Sequence, residues 1–285
     1  MLNRPTNMWT AVLFCTLGPI AVCFLGFAVA RSTADKALPG YTDILLGVDG
    51  KTYVEIATDG YSHIPGKQSN VVFFPAFPLL IRLVTYLLFS PKISAILISN
   101  VFYFFTLVFL AKYSSRRMCL NDSSEGMIFS VASFAFFPTS LFFHMAYTES
   151  MFACLATLLL LMMDDRRYSV VLVAFAVGLI TAVRPVGVAF IAPFFLFLMG
   201  SQRLSRWDVA KTILLLLLAL WGVIAFALYQ WIHFGDPLCF AKTQTYYTVR
   251  TNWTWSGKVE GLLVLEPFWS VYDSSSICCW SSFHP

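Results

Sequence analysis

Charge is what this chain has least of. Only 12% of its 285 residues are Asp, Glu, Lys or Arg, about half the share found in soluble domains. Hydrophobic residues make up 58% and the mean hydropathy is +0.73. A chain so poor in charge cannot clothe its surface for water, so soluble globular classes are excluded and lipid must be the solvent for much of it. Histidine is also scarce, at four residues. The seven cysteines form no C-x-x-C pair and stand at no zinc spacing with His, which excludes zinc ribbons and thioredoxin-like redox motifs. Net charge is only +4 and scattered, so no nucleic-acid patch is present. Internal repeats and low-complexity linkers are lacking, which points to one membrane domain over residues 1–285.

What is abundant is aromatic: 28 Phe, with 8 Trp and 12 Tyr suited to interfacial belts. A membrane-crossing helix needs about 20 mainly apolar residues. That criterion predicts about seven crossings: Trp9–Ala30, Ile93–Ala111, Met127–Phe143, Ser150–Met163, Tyr168–Val183, Val186–Met199 and Thr212–Ile232. Ala28-Val29-Ala30 resembles a signal-peptide cleavage site, but the apolar run is long for one. We read an uncleaved anchor. Residues 71–90 are apolar too, but Pro75, Pro78 and Arg82 interrupt them, and a juxtamembrane or re-entrant helix is expected there. This choice puts the basic segments Lys112–Arg117, Asp164–Arg167 and Arg203–Lys211 on the cytoplasmic side. The loop 31–92, the turns near Tyr147 and Arg184, and the segment 233–285 fall on the outer side. Cys15, Cys23 and Cys154 lie in apolar runs, and Cys278 and Cys279 in a Ser/Cys-rich tail.

The first outer loop carries the acids. Tyr53, Ile56 and Ala57 recur at helical spacing, so a short surface helix is expected, with Asp49 as N-cap and Gly60 as C-cap. Downstream, Thr148 or Ser150 can cap the fourth crossing, and Glu149 suits a helix N-terminus. An acid between apolar helices is costly, which makes a functional role an equal reading. Arg184 either snorkels to headgroups or binds a phosphate.

Taken in order, these pieces resemble one family. Asp49-Gly50-x-x-Tyr53-x-x-Ile56-Ala57-x-x-Gly60-Tyr61 is similar to a signature of the PIG-V family, GPI mannosyltransferase II and its bacterial relatives. Phe73-Phe74-Pro75-Ala76-Phe77-Pro78, Phe137-Pro138-Thr139-Ser140 and Tyr147-Thr148-Glu149-Ser150-Met151-Phe152 resemble three further elements. Arg184-Pro185-Val186-Gly187 and Gly235-Asp236-Pro237-Leu238, with Phe240 and Gln244, resemble two more. The resemblance spans about residues 40–250. Val48 departs from it, standing where the family usually has Trp. The chain also stops after its seventh expected crossing, whereas family members continue through several more. A C-terminally truncated or frameshifted product is therefore expected, with no family character in Ser274–Pro285.

The resemblance implies an all-α polytopic membrane protein, a helical bundle of the GT-C glycosyltransferase class. It implies inverting transfer of a hexose, mannose first, from a polyprenyl or dolichyl phosphate to a glycan or glycolipid acceptor. Asp49 would be the general base. Arg184 would clamp the leaving phosphate, with Lys51 and Arg82 behind it. Glu149 would position the sugar, and Tyr53 and Tyr61 would offer ring faces. No D-x-D pair is present, so no divalent metal or other cofactor is expected. The style of the motifs points to a bacterial plasma membrane. The sequon Asn252-Trp253-Thr254 would matter only in an endoplasmic-reticulum membrane. The rival readings are a transporter or lipid-binding membrane protein without chemistry, and an inactive fragment. Transporters place charges mid-span and often show repeated halves, whereas here the polar residues gather at one interface.

Overall fold

A computed structural model describes residues 4–33, 39–88, 90–117, 124–165, 168–200 and 209–247. Among the described residues every regular element is helical. Two compact units are present, one of Met1–Tyr61 with Phe73–Pro237, the other of Ser62–Val72 with Leu238–Pro285.

Among the described residues the first unit holds ten α-helices. These are α1 (Arg4–Thr33), α2 (Tyr41–Asp59), α3 (Ala76–Leu88), α4 (Pro91–Arg117), α5 (Ser124–Ala135), α6 (Glu149–Asp164), α7 (Val170–Val183), α8 (Ile191–Gly200), α9 (Val209–Ala219) and α10 (Trp221–Phe234). By length and composition α1 and α4 can each cross a membrane, and α9 with α10 makes a third crossing if the bent pair is one span. The expected first and second crossings coincide with α1 and α4.

The expected runs at 150–163 and 168–183 form the continuous helices α6 and α7, whereas the other three are interrupted, for local reasons. The run 127–143 ends as an α-helix at Ala135 and resumes as a 3-10 turn, Pro138–Phe143. Pro138 supplies no N–H and biases its predecessor away from helix; Phe137 accordingly lies extended (φ −64°, ψ 139°). The run 186–199 begins as a 3-10 turn, Pro185–Phe190, before α8. The run 212–232 is bent by 63° between α9 and α10. The amide of Val223, left free at that break, donates to Thr181 Oγ1 of α7 at 3.2 Å.

The centre of this unit is α4, which packs on α6 as well as on α1, α2, α3 and α5. Its buried face mixes large residues, Ile98, Tyr103, Leu107 and Val108, with small ones, Ser94, Ala95, Ser99, Thr106, Ala111 and Ser114, and the small ones let neighbouring backbones approach closely. Their hydroxyls do not remain orphaned in the apolar interior. Ser99 Oγ donates to the carbonyl of Tyr147 at 3.2 Å. Thr106 Oγ1 donates to Phe102 O at 2.8 Å and reaches Ser150 O at 3.4 Å. Asn100 Oδ1 lies 2.8 Å from His144 Nδ1. Helix α4 thus fixes the whole turn 144–150 from which α6 starts. Equally close packing joins α7 to α10, where a side chain on Gly222 would strike Gly178 O and Ala182.

The far end of α6 carries a second charged layer. Asp164 pairs with Arg117 at 2.6 Å, and Asp165 with Arg116 at 3.5 Å. The expectation that 112–117 and 164–167 share one face is met for these residues. With 16 residues, α6 separates them from Glu149 by about 24 Å.

In the second unit, the turn Asn70–Val72 packs on α11 (Cys239–Tyr247). Asn70 Oδ1 accepts from the Ser62 amide at 2.8 Å, and Gln68 Nε2 donates to Tyr246 O at 3.0 Å. Cys278, Cys279, the sequon at Asn252 and the segment Ser274–Pro285 lie outside the described residues.

Candidate functional site

The site is built where α2, the turn before α6 and the end of α7 meet. Helix α2 is not continuous. Gly47 adopts φ 57°, ψ −155° and breaks it into two halves. The second half therefore starts at Val48, and Asp49 lies inside its first turn rather than at a cap. The expected N-cap role for Asp49 gives way to this break, which only glycine's freedom at positive φ permits at low cost. Gly60 closes the helix as expected, its amide bonded to Ile56 O.

Two close approaches tie α2, one on each side of the break, to the turn before α6. The Ala146 amide donates to Leu45 O at 2.8 Å. At Gly50, an added Cβ would lie 3.0 Å from Ala146 Cβ and 3.1 Å from Ala146 O, so glycine there lets the two backbones touch. The Tyr147 hydroxyl lies over Gly47, within electrostatic reach of the backbone N–H groups of Val48 and Asp49. Burial and the nearby Asp49 charge push that phenol up to about 12.

Asp49, Glu149 and Arg184 are brought together by this arrangement. Arg184 Nη2 donates to Glu149 Oε1 at 2.9 Å. Among the described residues the other oxygen, Glu149 Oε2, is buried without a hydrogen-bond partner. Asp49 is exposed on its outer side, while protein atoms surround much of the rest of its carboxyl. Burial holds its carboxyl above the usual carboxylate range. The Glu149 charge raises it further, and Arg184 opposes both. Neither Thr148 nor Ser150 caps α6 with its side chain: Thr148 makes no capping bond, and Ser150 Oγ donates back to Phe143 O.

The remaining expected site residues are distributed around this cluster. Tyr53 is its floor, 6% exposed, with Phe73 and Phe77 packed edge-on at 5.0 and 5.1 Å. Its hydroxyl lies beside Thr148 and within electrostatic reach of Asp49, Glu149 and Arg184, and burial raises its phenol well above the usual range. The ring is thus enclosed by the Phe73–Pro78 motif rather than open as a platform. Lys51 is exposed on α2, two positions from Asp49, and residues so spaced do not share a helix face.

Tyr61 and Arg82 belong to a neighbouring cavity of about 610 Å³. Its walls are almost wholly carbon, from Ile56, Leu79, Leu83, Leu179 and Phe226 among others. Arg82 Nε donates to Ala57 O at 2.6 Å, and Tyr61 donates to Phe73 O at 2.9 Å. Met151 and Ala182, each two residues from a member of the charged cluster, also line this cavity. Leu79 and Leu83, on its α3 side, are exposed.

Sequence reasoning did not single out Tyr147 or Gly47 for a role. The available signal was the pair of glycines flanking Asp49, Gly47 and Gly50, since a helix interior disfavours glycine. Among the described residues the protein is thus all-helical, with two or three helices long and apolar enough to cross a membrane and a charged cluster beside an apolar cavity. Comparison with protein-family models, with curated proteins and with solved structures returns no match.

Proposed function

We propose that this protein is a membrane glycosyltransferase of the GT-C type that moves a hexose, mannose first, from a polyprenyl or dolichyl phosphate to a hydroxyl acceptor. The observation that carries this reading is the convergence of Asp49, Glu149 and Arg184 from three distant segments, next to an apolar cavity. A lipid-linked sugar phosphate has the matching parts: a hydrocarbon tail, an anionic phosphate and a polar sugar. In this reading about seven apolar segments cross the bilayer, the shorter ones as broken or re-entrant spans, in a bacterial plasma membrane or the endoplasmic reticulum.

The acceptor oxygen attacks the anomeric carbon as the bond from that carbon to the phosphate oxygen breaks. Asp49 takes the acceptor proton. The phosphate leaves as an anion, and Arg184 stabilises it. Arg82 stands at the cavity as a further cation, and the apolar walls hold the tail. Glu149 keeps Arg184 in place and offers Oε2 to a sugar hydroxyl.

The test is transfer by purified full-length protein in liposomes supplied with polyprenyl-phosphate mannose and a glycolipid acceptor. Labelled acceptor is expected with the native chain, and Asp49→Asn should reduce the rate by at least about 100-fold. An unchanged rate in Asp49→Asn rules out its role as base. The size and lining of the cavity favour a second reading, a lipid-binding protein without chemistry. It predicts lipid retention in both proteins and transfer in neither.

A further inference from the structure

Three features bear on how Asp49 is held, and each comes from a different part of the chain. The break at Gly47 leaves the amides that open the second half of α2 without helical partners. In most helices the residue just before the helix supplies the cap. Here no side chain on α2 does so. The nearest oxygen from elsewhere is that of Tyr147, across the site, whose hydroxyl lies over Gly47 within electrostatic reach of the Val48 and Asp49 N–H groups. The fit is close. A Cβ at Gly47 would collide with the Tyr147 hydroxyl and with Met145 Cε. The Tyr147 ring stacks on Phe142 at 6.2 Å, 16° from parallel, and its carbonyl accepts from Ser99 Oγ of α4. The hydroxyl is thus held from both sides by a part of the bundle that does not belong to α2.

We propose that Tyr147 is the positioning residue of Asp49, its hydroxyl pinning the turn that carries the carboxylate to the start of α6. The inference rests on the reading of Asp49 as the base. Tyr147 touches the backbone of that turn rather than a reacting atom. It fixes the distance of the carboxylate from Glu149 and Arg184, which stand one helix-start and one ion pair away on the same side. Without the hydroxyl, Val48 and Asp49 amides turn to water and the half-helix is free to fray from Gly47. A displacement of about 1 Å at a reacting group is enough to cost two orders of magnitude in rate.

Tyr147→Phe removes a single oxygen and leaves the ring on Phe142. Amide hydrogen exchange in the full chain, reconstituted in lipid nanodiscs, reads the clamp with no substrate present. Exchange at Val48 and Asp49 should quicken by about tenfold or more, with α6 and α7 unchanged. In the transfer assay kcat should fall about 10- to 100-fold while the donor KM stays constant. Tyr86→Phe, the same deletion at an exposed tyrosine of α3, should alter neither measurement. Unchanged exchange at 48–49 overturns the proposal. Exchange that rises equally through α6 and α7 also overturns it, because the hydroxyl would then support the fold at large. Faster exchange at 48–49 with an unaltered kcat overturns the positioning role. Absence of transfer by the native chain refutes the glycosyltransferase reading instead, and exchange still decides whether Tyr147 holds the turn.

Discussion

Arg184 Nη2 lies 2.9 Å from Glu149 Oε1, joining the end of α7 to the start of α6. Both partners sit where helix dipoles favour them, the acid at an N-terminus and the base at a C-terminus. The side chains are 38% and 19% exposed, so water screens the pair only in part. Arg184→Met should cost about 1–2 kcal/mol of stability, read as a lower thermal unfolding midpoint, because Glu149 loses its counter-ion. Arg184→Lys should recover much of the stability and little of the transfer rate, since ammonium lacks the planar fork that binds phosphate.

Asp49 gives the site a pH dependence of definite sign. Its carboxyl is raised by burial first and by Glu149 second, with Arg184 opposing. A raised acid is favoured protonated in the fold. Its contribution to stability is present below the unfolded pKa and lost as pH rises through the folded one. Activity runs the other way, because the base must be ionised, so the rate should fall as pH drops through that raised value. Glu149→Gln should move the acid limb of the rate profile to lower pH, and Arg184→Gln should move it higher. Asp49→Asn should unfold at the same temperature as the native chain or higher at pH 7, while losing transfer. A lower midpoint in Asp49→Asn contradicts this assignment.

Gly187 allows the turn after Arg184 to fold back on α7. A Cβ there would meet Ile180 O at 2.6 Å and Ile180 C at 2.7 Å, both backbone atoms that cannot yield cheaply. Gly187→Ala should cost about 1–3 kcal/mol by overpacking, and should depress transfer by displacing Arg184. Equal stability and activity in Gly187→Ala would show that the turn relaxes without moving the guanidinium.

The two charged layers on α6 predict its orientation. In a background with the seven cysteines replaced by serine, Val48→Cys and Asp164→Cys should react with impermeant maleimide from opposite sides of the membrane. The expected side for Asp164→Cys is cytoplasmic, by the basic residues Arg116 and Arg117 beside it. Labelling of both from one side would remove the membrane-crossing reading of α6.

How much of this was legible in advance depends on the range of the interaction. Hydropathy located α1 and α4 because a long apolar run is a local property of the chain. Gly60 was recognisable as a cap for the same reason. A short helix opening near Asp49 was expected, but not the break at Gly47 that joins it to a preceding half-helix, and the side chain packed over that glycine is Tyr147, a hundred residues on. The cap expected from Thr148 or Ser150 failed similarly, because Ser150 finds Phe143 O instead. Tyr53 had been expected at a ligand surface. Its burial follows from Phe73 and Phe77, whose edges close on it only after α3 has packed against α2.

The sequence by itself determined that this chain holds long apolar runs, two of which form helices long enough to cross a membrane, and that its few acids and bases gather at the ends of such runs. Each of these depends on composition and on spacing within about twenty residues. Only the tertiary structure decided that Arg184 faces Glu149, that Lys51 stands apart, that Arg82 joins a cavity rather than the charged cluster, and that Tyr147 packs over the turn bearing Asp49. Those pairings are settled by small residues at crossing points, Gly47 and Gly50 against the turn at Ala146 and Gly178 against Gly222. Close approach of two backbones is a property of both strands of chain at once, and neither stretch carries it alone.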